Sequence, residues 1–193
     1  MNLSELVDVV PGTNLSRVKG NPNDNKFLVY NQQGFLDDLN RVEENLVEYK
    51  STFISDPSKV LFVNPGDLVF NLSTQEAAIV QNRGIKEMVV LPNNYCKLVI
   101  TSDEITVEFL EYWLNKAPKA LEQYQLLATG SLKKLAVKHI LTIEIEFPPL
   151  EIQQISAQIW EDQRRLSYLI GVKDRIQADM LAQQVFFAQK ARG

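Results

Sequence analysis

Residues 148–190 read P-P-L-E-I-Q-Q-I-S-A-Q-I-W-E-D-Q-R-R-L-S-Y-L-I-G-V-K-D-R-I-Q-A-D-M-L-A-Q-Q-V-F-F-A-Q-K, and this stretch decides the architecture. After Pro149 it contains no proline and one glycine, Gly171. Apolar residues return at Ile152, Ile155, Ile159, Leu166, Leu169, Ile176, Met180 and Phe187, with Asp162, Lys173 and Gln183 at the skipped positions. Spacings of three, four and seven are helical. Pro148-Pro149 suits a helix start, because the first turn has no use for the amide hydrogen that proline lacks. The pattern predicts one helix of about 60 Å, longer than a small domain needs for itself. A stripe of Ile155, Ile159, Leu166, Leu169, Ile176 and Met180 needs cover. Two covers are open: another helix, most simply a second copy running antiparallel, or the chain's own preceding domain.

Upstream of Pro148 the rules change. Turn chemistry interrupts the chain at Pro11-Gly12, Gly20–Asn25, Asn64–Asp67 and Pro92–Asn94. Short β-like runs lie between: Lys26–Tyr30, Val60–Val63, Leu68–Leu72, Ala77–Val80, Met88–Leu91 and Lys97–Ile100. Thr106 to Lys116 bunches Val107, Phe109, Leu110, Trp113 and Leu114 as a helix does, with Thr101-Ser102-Asp103 as candidate caps. Ile140–Phe147 alternates apolar and polar residues from Leu141 onward, the pattern of a half-buried strand. The expected fold is a mixed α/β (α+β) globular domain over residues 1–148, followed by a long coiled-coil-type helix over 149–193.

Composition excludes several classes. Hydrophobic residues make up 45% of the chain and charged residues 23%, so it buries a core rather than staying disordered. One cysteine, Cys96, and one histidine, His139, exclude a disulfide framework and a Cys- or His-rich metal site. No apolar run approaches the roughly 20 residues of a membrane span. Met1–Glu5 opens acidic rather than basic, so a signal peptide is not expected and a cytoplasmic setting is.

The net charge of −4 disfavours indiscriminate nucleic-acid binding. Charge is segregated, however: residues 37–48 carry −4 and residues 112–143 carry +4. No phosphate-binding glycine loop and no nucleophile elbow is present. One carboxylate–lysine set, Asp38 with Glu48 and Lys50, has the residue types of a magnesium-dependent nuclease, although it lies in an acidic stretch that reads as a helix. Gly130–His139 is the richer segment. Thr129-Gly130-Ser131 reads as a helix cap whose amides face a phosphate, strengthened by Lys133 and Lys134. The same spacing also describes the solvated face of a short amphipathic helix. Lys133, Lys134 and Lys138 are expected on one positive surface with Arg83 or Lys86, Ser131 as a phosphate contact, and Thr74 and Gln75 as candidates for base edges.

In order along the chain, these segments resemble half of a DNA-specificity subunit of a type I restriction–modification system. Leu3–Gly12 resembles the family's opening strand and turn. Val63–Phe70 (V-N-P-G-D-L-V-F) resembles its G-D strand entry, and Thr106–Leu114 (T-V-E-F-L-E-Y-W-L) resembles its F-L-x-Y-x-L helix. Gly130–Pro149 is similar to its stretch running from G-S to a P-P pair, and Pro148–Ile155 to its P-P-L-x-E-Q helix start, with Ile152 in place of the glutamate. The resemblance implies a recognition domain for double-stranded DNA and a helical spacer, with no catalytic activity and no cofactor of its own. It implies methyltransferase subunits that act on a flipped base, a restriction/translocase subunit, and a homodimer through the helix. Two other classes remain open beside it: the nuclease of Asp38, Glu48 and Lys50, and an interaction module with no DNA role.

Overall fold

The strand Leu68–Asn71 is buried at all four positions, because a sheet face and a helical layer cover opposite sides of it. The computed structural model describes residues 1–42, 47–127 and 134–190, without the side chains of 185 and 187–190. In chain order the elements are β1 (Val7–Pro11), α1 (Leu15–Val18), β2 (Asn25–Val29), α2 (Gln32–Leu39), β3 (Lys50–Ile54), β4 (Phe62–Val63), β5 (Leu68–Asn71), β6 (Glu76–Ile79), β7 (Val89–Val90), β8 (Tyr95–Ile100), α3 (Val107–Lys116), α4 (Pro118–Leu127), α5 (Val137–Ile140) and α6 (Leu150–Lys190). Two four-stranded sheets form, ordered β1-β8-β5-β6 and β3-β2-β7-β4. The first is antiparallel throughout; in the second only the β2–β7 pair is parallel.

Side chains alternate along β5. Leu68 and Phe70 face one core with Cys96, Leu98, Phe109, Leu110, Trp113 and Tyr124. Val69 faces the other with Tyr30, Phe35, Leu91 and Tyr95. Burial pushes the Cys96 thiol up to about 12, so the lone cysteine stays protonated and inert. Gly12, in the Pro11-Gly12 turn, leaves no room for a side chain: a Cβ there would sit 2.2 Å from the Pro92 carbonyl oxygen.

α6 forms as its periodicity predicts, and it uses both of its faces. Gln153, Ala157 and Arg164 are buried against the head, with Trp160 half-buried between them. The predicted stripe lies about half a helical turn away. It is wet: Ile155, Ile159, Leu166, Leu169, Ile176 and Met180 are all more than half exposed. The helix therefore docks on its own domain without covering the stripe.

Two devices hold it there. Gln153 accepts from the Thr106 amide and donates to the Glu104 and Pro148 carbonyls, so a fully buried amide pins the first turn of α6 to the start of α3. Further along, the buried Glu111 of α3 accepts from Arg41, from Arg164 and from the Ile79 amide. Glu161 pairs with both arginines in turn. Arg41 follows α2 at φ 54, the left-handed position where helices usually end in glycine. The Val42 amide bonds back to the Asp37 carbonyl, and the side chain's ion pairs hold Arg41 in that conformation.

Three local expectations are corrected. The cap of α3 is Thr106, whose hydroxyl accepts the Phe109 amide, not the Thr101–Asp103 run. The acidic segment is not one helix: α2 ends at Leu39, and residues 43–46 lie outside the described residues. The predicted strand Ile140–Phe147 does not form: Ile140 closes α5 and Leu141-Thr142 make a turn, and only from Ile143 does burial alternate, with Ile143 and Ile145 inside and Glu144 and Glu146 outside. Among the described residues its backbone ladder is with the N-terminal segment alone, through an isolated bridge between Asn2 and Glu144. That is too little ladder to make it a strand. Among the described residues, no helix is long and apolar enough to cross a membrane.

Candidate nucleic-acid interface

At one end of the first sheet, β5 and β6 are joined by the turn Leu72–Gln75, with Gln75 at φ 64. A side chain held in the left-handed region marks a turn fixed by its surroundings. What fixes it is Asn71, the last residue of β5 and 1% exposed. Its Oδ1 accepts the amides of Ser73 and Thr74, at 2.9 and 3.2 Å. Those two bonds force its Nδ2 to face the other way, where it donates to Oε1 of Gln32 at 3.1 Å. The Tyr95 hydroxyl donates to the same oxygen at 3.3 Å. Gln32 opens α2 and is itself exposed. A chain of bonds starting in the turn thus orients an exposed amide with its oxygen inward and its nitrogen outward. Neither hydrogen on that nitrogen is engaged by a described residue.

Two more segments join this end of the sheet. The Leu72 amide donates to the Asn94 carbonyl, and the Leu135 amide donates to the Leu72 carbonyl at 2.9 Å. The second bond seats the basic segment beside the turn, with exposed Lys134 next to the bonded Leu135 and exposed Thr74 two residues after the bonded Leu72. The surface is polar amides and hydroxyls with a cation at its margin. That combination suits base edges next to a phosphate backbone.

The residues predicted from sequence divide accordingly. Thr74, Gln75 and Lys134 come together here. Lys138 is exposed on α5, which packs against β1. Ser131 and Lys133 lie outside the described residues. Arg83 and Lys86 do not join them, since β6 runs away from the turn for four residues before the chain reaches them. Lys86 is exposed, but Arg83 turns inward: its side chain is 4% exposed and pairs with Asp38 at 2.7 Å. Gln32 and Asn71 escape sequence reading, because neither stands in a motif and their bond spans 39 positions.

The nuclease set is not assembled. Asp38 is fully buried and accepts from Tyr30, the Gln81 amide and Arg83. Burial raises its carboxyl above the usual range against the opposing pull of those donors. Glu48 and Lys50 are exposed. Among the described residues, no three acidic, cysteine or histidine side chains converge as metal ligands.

Comparison with known proteins follows the same lines. A search of curated proteins finds no match. The HsdS subunit from Thermoanaerobacter tengcongensis superposes with a TM-score of 0.52 at 16% identity, over 86% of this chain and 37% of that one. The type I restriction-modification S subunit from M. genitalium gives 0.53 at 15% identity, over 89% and 40%. A structure bearing on complex assembly and conformational transition of the type I R-M system gives 0.56 at 16% identity, over 95% and 41%. The likeness at such identity is one of fold, and this chain spans about two fifths of each relative's length. The family model for the type I restriction modification DNA specificity domain matches residues 1–170, which takes in the whole head and the docked part of α6. The chain belongs to that family.

Proposed function

We propose that this chain reads one half of a two-part duplex target, with the Gln32, Thr74 and Lys134 end of the first sheet placed against DNA. The observation that carries the reading is the outward amide of Gln32 beside a rigid turn and a flanking lysine, in a chain of the specificity-domain family. Ser131, Lys133 and Lys138 extend the phosphate contacts; Arg83, committed to Asp38, and Lys86, at the far end of β6, do not. The chain carries no reacting group of its own: methyltransferase subunits act on the target base, and a restriction/translocase subunit joins the same assembly. A second copy, paired through the stripe of α6, supplies the other head and the other half of the target.

Binding to duplex DNA should weaken steeply with salt. Replacing Lys134 and Lys138 together by alanine should lower the slope of log K against log salt by about 0.9 for every phosphate that is no longer neutralised, on every sequence alike. Competition titrations over a range of salt concentrations measure that slope. An unchanged slope removes the segment from the interface, and a wild-type chain that selects no sequence from a randomised duplex library defeats the reading as a whole.

A further inference from the structure

The exposed stripe of α6 has a symmetry of its own. From Ile155 its positions advance by four and three in strict alternation: Ile155, Ile159, Asp162, Leu166, Leu169, Lys173, Ile176, Met180. This is the a/d seam of a coiled coil, with two charged residues set into it. Those two have opposite signs and lie at equal distances from the midpoint between Ser167 and Tyr168. The apolar residues obey the same reflection: Leu166 answers Leu169, Ile159 answers Ile176, and Ile155 answers Met180.

We infer that α6 is built to pair with a second copy of itself, antiparallel, in the single register centred between Ser167 and Tyr168, with Asp162 of each copy facing Lys173 of the other. An antiparallel coiled coil sets a positions against d positions, and every pair in this register does so. Sliding either helix by a heptad keeps the a-against-d rule but leaves Asp162 and Lys173 facing apolar residues. Parallel pairing sets Asp162 against Asp162 and Lys173 against Lys173. Both alternatives strand a charge in an apolar seam, so two polar positions select one partner geometry out of several.

The structure leaves this surface available. The six apolar positions are between 52% and 59% exposed. Asp162 and Lys173 are exposed as well. Oδ1 of Asp162 accepts from Gln158 of the same helix at 2.9 Å, which leaves Oδ2 for Lys173 of the second copy. Gln153, Ala157 and Arg164 tie the opposite face to the head, so pairing leaves the seat of α6 on its own domain undisturbed.

The inference rests on the self-association proposed above and adds its register. Cysteine cross-linking separates the two, because Cys96 is buried and inert. An Ile155→Cys chain mixed with a Met180→Cys chain should form a disulfide between the two variants. Neither should link to itself, since antiparallel pairing holds like positions about 37 Å apart at the rise of an α-helix. Asp162→Lys and Lys173→Asp should each weaken the dimer in sedimentation, and a chain carrying both should recover it. Leu166→Asp with Leu169→Asp should abolish it while the head stays folded.

An Ile155→Cys chain that links to itself shows parallel pairing and overturns the register while leaving self-association intact. The same holds if the doubly charge-swapped chain stays as weak as its single parents. A wild-type chain that sediments as a monomer at tens of micromolar overturns both ideas.

Discussion

Glu111→Ala is expected to lower the folding stability of the head by about 3–5 kcal/mol, the cost of leaving buried charge without its partner. Glu111 is 0% exposed and stands between two arginines whose side chains are 10% and 6% exposed. Its removal leaves both guanidinium groups facing a cavity and frees the Ile79 amide. Glu161, at 39% side-chain exposure, still reaches both arginines but from the solvent side. A deficit of that size is a large part of what an ordinary domain has in reserve. Urea unfolding reads it as a shift in midpoint. A change below about 1 kcal/mol would mean that the carboxylate is only a bystander to the packing of α3 against α6.

Gln32→Glu is expected to change the base preferred at one position of the selected sequence and leave the others as they were. In wild type the inward oxygen is held by Asn71 and Tyr95, so the outward group is a pure donor. Donors in the major groove favour bases with a keto acceptor, guanine O6 or thymine O4. Glutamate presents an acceptor there and favours the amino groups of cytosine or adenine, by about tenfold. Asn71→Asp tests the relay from behind. Its carboxylate still accepts the Ser73 and Thr74 amides, but the second oxygen now meets the Gln32 oxygen and turns that amide around. The Tyr95 hydroxyl, donor or acceptor as required, follows. The same keto-to-amino exchange should then appear with Gln32 itself untouched. Selection from a randomised duplex library with the three proteins decides it. An unchanged preference in both folded variants, or a uniform loss at every position, removes Gln32 from base reading.

The legible parts of this chain are those governed by periodicity. Apolar spacing alone locates α6, its exposed stripe, α3 and most strands of both sheets. What escapes is governed by partners far away in sequence. Gln153, Ala157 and Arg164 have the composition of a solvated face; they are buried because Glu104, Thr106 and Glu111 wait some 50 positions earlier. Arg83 looks like a surface cation for the same reason, since nothing in its neighbourhood of the chain announces Asp38. In Ile140–Phe147 the spacing tells which side chains go inside but misleads about the ladder, because alternation reports burial and not hydrogen bonding. The basic segment is placed beside Thr74 and Gln75 by a single backbone bond, from Leu135 to Leu72, which no spacing rule contains.

The position of β5 has a thermodynamic consequence. Leu68 and Phe70 belong to one core and Val69 to the other, on a strand hydrogen-bonded along both edges. Neither core can open without removing the strand from its partner. The head therefore has two cores by architecture but one unit by cooperativity, and it should melt in one step rather than as two halves with separate midpoints.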